Sequence, residues 1–259
     1  MIVNAIMTIY GRPTYTHVAL ASLSKSDVVT DHDFRLGAII VDHPRFKFNV
    51  AKEMVAKYPF AKLPIIQQRY GINDGSYCSR QCFMLGSLCF HENEGEWFVY
   101  IENDVLFNPD WFKRMVEIYE EASLKYKVGI LTPVKNLNRG TVHIDCGDTW
   151  VVKNKAEAQC WLMKPDVLMK TLDYPLSVWA PRPVGFDQRI LGALHADGYM
   201  NISSNNSHVA HIGYMGIKDN PVSHKSRGFM PHERIKGLYD FAESLKDGWT
   251  NKVEFPEYA

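Results

Sequence analysis

The chain has 259 residues, of which 46% are hydrophobic and 22% are charged, a composition typical of a globular protein. It contains 29 basic and 29 acidic residues, and this balance argues against a strongly basic surface for nucleic acid or anionic membranes. We expect no signal peptide and no membrane span, because no apolar run approaches the roughly 20 residues that a span needs. The five cysteines show no Cys-x-x-Cys spacing, so we expect a reduced, cytoplasmic protein.

The first half of the chain alternates short β-branched or aromatic runs with longer segments of helical periodicity. This alternation predicts an α/β fold with a mostly parallel central sheet flanked by helices. The predicted strands are 3–9, 36–41, 63–67, 97–101 and 129–133. The predicted helices are 15–23, 49–57, 76–91 and 109–124.

Beyond about Leu137 the pattern changes to short runs, at 149–152 and 158–163, which are interrupted by Asn, Gly and Pro. We interpret this part as a C-terminal elaboration of the same domain. It is predicted to continue with a helix at 185–196, a short strand at 209–211, a glycine-rich loop from Gly213 and a final helix at 231–245.

The segment after the apolar run at 97–101 carries two carboxylates, Glu102 and Asp104, separated by Asn103. Ligands of open α/β sheets bind at the carboxyl ends of the strands, which is where these acids are predicted to lie. Mg²⁺ and Mn²⁺ prefer oxygen ligands and complete their coordination with substrate phosphates. The pattern therefore predicts a cation and phosphate site, and the alternative is a solvated acidic turn that caps the next helix.

Two further strand ends carry polar or aromatic residues that suit a nucleotide. Thr8, Tyr10 and Arg12 close the first strand, where the backbone and the tyrosine ring could meet a nucleobase. Asp42 ends the second strand, a position where an acid accepts hydrogen bonds from ribose or base in nucleotide-binding folds. The alternative for Asp42 is a turn that leads into the next helix.

These segments together resemble the family 2 glycosyltransferases of the GT-A (Rossmann-like) fold. The run from Asn73 to Gln81 is similar to that family's Asn-x-Gly, four residues, Arg-Asn signature, with Gln81 in place of Asn. Glu102-Asn103-Asp104 stands where the family has Asp-x-Asp, so the resemblance implies that Asp104 binds the metal directly. It leaves open whether Glu102 contacts metal or ribose. The implied donor-binding residues are Thr8, Tyr10, Arg12, Asp42, Asn73, Gly75, Arg80, Glu102 and Asn103.

Two later segments extend the resemblance. The segment that begins at Val184 is similar to the place where the family has Glu-Asp at the start of a helix, with Phe186 here replacing the first acid. The resemblance implies that Asp187 is the general base for the acceptor hydroxyl, and the alternative is a helix N-cap. The strand at 209–211 is similar to one that ends in a metal-binding histidine. His211 is the implied ligand and His208 the second choice, against the alternative of a structural histidine.

The resemblance implies one domain over 1–259, with a nucleotide-sugar-binding half at 1–136 and an acceptor-binding half at 137–259. It implies Mn²⁺ or Mg²⁺ as cofactor and a nucleotide diphosphate sugar, favourably a UDP-sugar, as donor. The sequence lacks Gln-x-x-Arg-Trp, the mark of processive synthases, so we expect one sugar per acceptor. We expect an inverting reaction with Asp187 as base, while the retaining outcome stays open.

The acceptor is open between a hydroxymethylated DNA base, typical of small phage-encoded transferases, and a cell-surface glycan precursor. Two alternative functions also remain. One is a nucleotidyltransferase acting on sugar phosphates, against which stands the absence of an early glycine-rich loop followed by Arg and Lys. The other is a non-catalytic nucleotide- or carbohydrate-binding protein of the same fold. Trp150, Trp161 and Trp179 are interpreted as core residues, with stacking on a sugar or base as the alternative.

Overall fold

The computed structural model describes residues 1–43, 46–68, 75–93, 95–133, 143–153, 158–179 and 185–211. For residues 14, 75–78, 91–93, 143, 210 and 211 it describes the backbone alone. Three predictions lie outside the described residues, namely Asn73 as a donor-binding residue, the loop from Gly213 and the helix at 231–245.

The strands include every one that the sequence pattern predicts, together with short ones that it does not. The run at 97–101 forms most of the fourth strand, for example, the run at 149–152 overlaps the eighth, and the run at 158–163 contains the ninth. The strands are β1 (Ile2–Tyr10), β2 (Asp33–Val41), β3 (Ile65–Gln68), β4 (Trp97–Glu102), β5 (Val105–Phe107), β6 (Val128–Thr132), β7 (His143–Cys146), β8 (Trp150–Lys153), β9 (Cys160–Met163), β10 (Met200–Ser204) and β11 (Val209–His211).

The helices agree with the predicted ones to within two residues at each end, and three further short helices were not predicted. Those three are the second, sixth and seventh. The helices are α1 (Pro13–Leu23), α2 (Asp27–Thr30), α3 (Phe48–Ala56), α4 (Gly75–Asn93), α5 (Trp111–Ser123), α6 (Pro165–Asp173), α7 (Leu176–Trp179) and α8 (Phe186–Ala196). Within the described part of the chain, none of the helices has the length and apolar character needed to cross a membrane.

Nine of the described strands form one sheet in the order β3-β2-β1-β4-β9-β6-β10-β8-β7. β3, β2, β1 and β4 are mutually parallel, and β10 is parallel to β6. β9 runs antiparallel to both of its neighbours, and β8 runs antiparallel to β10 and β7. β5 and β11 form a separate antiparallel pair. The predicted α/β class, with a mostly parallel central sheet and flanking helices, is confirmed.

The position of β9 could not be expected from the order of elements along the chain. It lies between β4 and β6, with Trp161 opposite Tyr100 on one side and Leu162 opposite Leu131 on the other. Its four residues are all buried, as a strand in the middle of a sheet covered on both faces requires. The second half of the chain therefore contributes to the centre of the sheet.

Side chains alternate between two hydrophobic cores, one on each face of the sheet. On β1, Val3, Ala5, Met7 and Ile9 belong to the core that contains α1, α3 and α5. Ile6 belongs to the other core, which contains residues of α4, α6 and α8. This alternation decides which helices each polar residue at a strand end can meet.

Helix α4 lies so close to β4 that only glycine fits at one position. A Cβ added to Gly86 would lie 2.3 Å from the Phe98 ring, and that ring is fully buried between Phe83 and Phe90. We expect Gly86→Ala to lower the free energy of unfolding by about 1–3 kcal/mol, because the packed ring cannot move aside. Urea denaturation followed by fluorescence would measure the change.

Gly192→Ala in α8 is the matched control, because nothing lies within 4 Å of a Cβ at that helical position. It should leave stability unchanged or raise it by up to about 1 kcal/mol, as alanine is the better helix former. Equal effects of the two substitutions would contradict the close approach of α4 to β4.

Candidate functional site

The polar residues predicted from strand ends meet at the carboxyl edge of the parallel strands. Tyr10 at the end of β1 is paired with Val41 at the end of β2, and Thr8 is paired with Glu102 on β4. The loops that follow these three strands carry the other candidate residues. Three stretches separated in sequence therefore share one edge, which is where ligands of open α/β sheets bind.

A buried ion pair joins two of these loops. Arg12 donates a hydrogen bond from Nη1 to Oδ2 of Asp104, and the two side chains are only 11% and 9% exposed. Gly11 precedes the arginine with φ of 58°, a left-handed conformation that turns the chain sharply and that glycine adopts without strain. Pro13 then begins α1, where its missing N–H costs nothing.

A second contact fixes the turn after β4 against α1. Asn103 is buried, and its Nδ2 donates to Oγ1 of Thr16 at 2.7 Å. The Thr16 hydroxyl and backbone N–H both donate to the carbonyl oxygen of Arg12, at 2.8 and 3.0 Å. The amide of Asn103, predicted to contact the donor, thus supports the loop that presents Arg12.

Tyr15 is a site residue that the sequence patterns missed. Its ring centroid lies 5.6 Å from the Arg12 guanidinium carbon. Burial raises the pKa of its hydroxyl, an effect that the Arg12 charge opposes and the Asp104 charge reinforces. The spacing of Arg12 and Tyr15, one helical turn apart at the start of α1, is the signal that could have revealed it.

Glu102 faces a different side of the edge from Asp104. As a strand residue it shares a face with Tyr100, whose hydroxyl lies 2.9 Å from Ser79 Oγ on α4. Burial raises the pKa of Tyr100, and the Glu102 charge raises it further. Thr8 lies across from Glu102 and donates from Oγ1 to the carbonyl oxygen of Ile101 at 3.3 Å.

The described residues contain no preformed cluster of three His, Cys, Asp or Glu side chains suited to a metal ion. Of the predicted ligands Asp104, Glu102 and His211, the histidine is described by its backbone alone, so its side chain is not among these residues. β11 pairs His211 with Val105, the residue directly after Asp104. The backbone therefore brings the predicted histidine beside the predicted carboxylate ligand.

His208, the second choice of ligand, lies against a different element. Burial lowers the pKa of its ring, which also lies near the charges of Asp110, just before α5, and of Arg114 and Glu117 within that helix. Its backbone N–H donates to the carbonyl oxygen of Pro133 at 2.8 Å. These neighbours favour a structural role for His208.

Asp42 supports the start of α3. Its Oδ1 accepts a hydrogen bond from the backbone N–H of Phe48, the first residue of that helix, at 2.9 Å. The neighbouring His43 ring packs edge-on against Tyr10, with centroids 5.1 Å apart. The alternative interpretation of Asp42, a turn into the next helix, thus has a physical basis, and its contact with the donor stays a prediction.

The first turns of α4 hold the remaining donor candidates. Gly75 is the first residue of α4, and Arg80 lies on its second turn with Nη1 3.4 Å from the sulfur of Met84. α4 precedes β4 and runs antiparallel to it, so its N-terminus lies at the carboxyl edge of the sheet. The start of α4, from Gly75 to Arg80, therefore lies at the same edge of the sheet as Asp104.

Asp187 lies at the second position of α8, and the alternative that it is the N-cap is wrong because Gly185 occupies the cap. Its Oδ1 lies 2.3 Å from where a Cβ on Gly185 would stand, so the missing side chain makes room for the carboxylate. α8 precedes β10, which runs in the same direction as β4. The N-terminus of α8, and Asp187 with it, consequently lies at the carboxyl edge.

Phe186, which replaces an acid of the family pattern, is a core residue. It packs 5.9 Å from Trp161 and is stacked on Trp179, with centroids 6.2 Å apart and planes inclined by 10°. Trp150, Trp161 and Trp179 are all buried, which agrees with their interpretation as core residues. An acid could not replace Phe186 here without losing its charge or disrupting this aromatic cluster.

This sheet, with its acidic turns and helix N-termini at one carboxyl edge, is the GT-A arrangement that the sequence predicts. Crystal structures of S. aureus TarS share the fold. TarS 1-349 in complex with UDP-GlcNAc matches with a TM-score of 0.55 and 15% identity, over 94% of this chain and 66% of that one. The same fragment with UDP matches with a TM-score of 0.53 and 13% identity, over 98% and 76%.

A longer TarS structure gives a TM-score of 0.52 with 13% identity over 98% of this chain. This chain spans 46% of that TarS chain and 66% of the fragment with UDP-GlcNAc. The sequence matches no protein-family model and no curated protein. The similarity to TarS therefore concerns the fold.

The contact of Asp42 with α3 leads to a stability prediction. Asp42→Ala should lower the free energy of unfolding by about 1 kcal/mol, because the N–H of Phe48 loses its acceptor. Asp42→Asn keeps an acceptor oxygen at the same place and should stay close to the wild type. Thermal unfolding of the three proteins would measure this, and identical melting temperatures for Asp42→Ala and the wild type would show that the bond contributes nothing.

Proposed function

We propose that this chain is a metal-dependent glycosyltransferase that moves one sugar from a UDP-sugar to an acceptor hydroxyl with inversion. The observation that carries the proposal is the Arg12–Asp104 pair at the carboxyl edge of the sheet, the same edge towards which the start of α8 with Asp187 is directed. The fold is shared with TarS, which was crystallised with UDP-GlcNAc and with UDP. The ligands of TarS support a uridine nucleotide as the donor group here.

The donor diphosphate suits the positive groups at this edge. α1 begins directly after β1, and α4 and α8 both have their N-termini at the same edge. Helix N-termini present unpaired N–H groups and the positive end of the helix dipole, which favour bound phosphate. The guanidinium of Arg12 adds a forked donor that matches phosphate oxygens.

The residues present are compatible with Mg²⁺ or Mn²⁺ in a shared site. Mg²⁺ is usually held by one or two carboxylates together with substrate phosphates and waters, so a full protein cage is not required. Asp104 would hold the ion, with His211 as a further proposed ligand, and Glu102, which faces the other side of the edge, would reach the ion or the donor ribose only by turning towards them. When bound, the metal would neutralise charge on the leaving diphosphate.

Asp187 is the proposed base for the transfer step. The acceptor oxygen attacks C1 of the sugar, the bond from C1 to the diphosphate oxygen breaks, and Asp187 takes the acceptor proton. Attack on the face opposite the leaving group inverts the configuration at C1. Asp187 lies in the first turn of α8, at the positive end of the helix dipole.

The acceptor is proposed to be a hydroxyl of a modified DNA base or of a glycan precursor. A flipped base needs only a local basic rim around the pocket, so the balanced overall charge is compatible with DNA. Incubation of the protein with UDP-[¹⁴C]glucose and either hydroxymethylated DNA or cell-wall precursors would distinguish these acceptors by the fraction that carries the label.

The metal assignment is tested by Asp104→Asn. This variant removes the charge but keeps an oxygen acceptor for Arg12, whereas Asp104→Ala would remove the carboxylate beside a largely buried guanidinium and destabilise the protein by about 3–5 kcal/mol. We expect Asp104→Asn to lose Mn²⁺-dependent binding of UDP in calorimetry while remaining folded.

Asp110→Asn is the control. Asp110 is an acidic residue shortly after β5, as Asp104 is one directly before it, but it forms an exposed ion pair with Arg114. It should bind UDP and Mn²⁺ as the wild type does. Unchanged Mn²⁺-dependent affinity in Asp104→Asn would rule out Asp104 as the metal ligand.

The base assignment is tested by two substitutions at the start of α8. Asp187→Asn should reduce transfer by about 10²–10⁴-fold with donor affinity unchanged, because basicity is lost while size is kept. Gly185→Ala should also reduce transfer at unchanged donor affinity, because its Cβ displaces the Asp187 carboxylate. Transfer rates with donor saturating would measure both, with Gly192→Ala as control. Near-normal transfer by Asp187→Asn would contradict the inverting mechanism.

A further inference from the structure

The proposed metal ligand Asp104 already forms an ion pair with Arg12, so its negative charge is balanced by a cation of the protein. Both side chains are largely removed from water, so neither charge is well screened by solvent. A divalent cation at the same carboxylate would lie close to the guanidinium and be repelled by it. Arg12 and the metal therefore compete for Asp104.

The backbone of Arg12 is held independently of its side chain. Its carbonyl oxygen is held by both the N–H and the hydroxyl of Thr16, so its backbone is anchored to α1. The guanidinium stands at the end of a long side chain and lies within cation–π distance of the Tyr15 ring. Rotation of the side chain can therefore bring the guanidinium to a neighbouring anion while the backbone stays in place.

We propose that Arg12 is a built-in counter-cation that holds Asp104 until donor and metal bind together, and then contacts the donor diphosphate. This inference rests on the proposed function and deepens it, because it states how the binding of metal and the binding of donor depend on each other. Metal alone must displace the guanidinium and gains no new anion for it. Metal with UDP supplies that anion, so the two ligands bind cooperatively through Arg12.

The test is a titration of Mn²⁺ followed by its electron paramagnetic resonance signal, with and without UDP, for the wild type and Arg12→Gln. Without UDP, Arg12→Gln should bind Mn²⁺ about 10-fold more tightly than the wild type, since the competing charge is gone. The enhancement of Mn²⁺ affinity by UDP should shrink by a comparable factor, within the about 5–150-fold range usual for coupled sites. Arg114→Gln, which removes an exposed arginine near Asp110, should change neither quantity.

Arg12→Lys keeps the test decisive if Arg12→Gln fails to fold. Lysine retains the positive charge, so Mn²⁺ alone should bind as weakly as in the wild type. Its single ammonium lacks the fork that grips two phosphate oxygens, so UDP affinity in the presence of Mn²⁺ should fall. Unchanged UDP affinity in Arg12→Lys would overturn the transfer of Arg12 to the diphosphate.

The failure of this inference can be told from the failure of the proposed function. Equal Mn²⁺ affinities of folded Arg12→Gln and wild type without UDP, with clear binding in both, would overturn the competition alone. Absence of Mn²⁺ binding to the wild type both with and without UDP would overturn the proposed metal dependence, and the competition with it.

Discussion

The ion pair between Arg12 and Asp104 is the constraint on which the carboxyl edge of the sheet depends. Two charges that are almost out of water require each other, so the loop after β1 and the turn after β4 must meet. The bond from Asn103 to Thr16 fixes the same turn to the first helix. The Asn103–Thr16 bond does not involve the two charges, so it keeps the turn beside the first helix even when the Arg12 side chain turns to another anion.

The edge combines charges of opposite sign from two sources. The topology brings helix N-termini to it, and their positive ends favour an anion wherever the strands end in parallel. The side chains supply the carboxylates, and the turn after β4 separates Asp104 from Glu102, the last residue of that strand. Glu102 faces Tyr100 and α4, whereas Asp104 turns towards the first helix. The proposed nucleotide sugar and metal ion carry charges opposite to these two sets of groups.

Local sequence patterns were sufficient for most elements, because buried parallel strands are continuous apolar runs and the helices keep a regular apolar spacing. They also located the acids at 102 and 104, since a strand end is visible in the sequence. The partner of Asp104 was not predictable, because Arg12 is 92 positions away and only the fold brings it near. The role of Phe186 was hidden for the same reason, as its aromatic neighbours come from β9 and α7.

The insertion of β9 between β4 and β6 has a consequence for how the protein is made. While the ribosome has delivered only the first half, β4 and β6 have open edges facing a gap that no available strand can fill. Such edges pair readily with other chains, so a nascent or truncated first half is prone to aggregation. The sheet closes only when the residues of β9 emerge and settle against Tyr100 and Leu131. The centre of the sheet must therefore wait for the second half of the chain during synthesis.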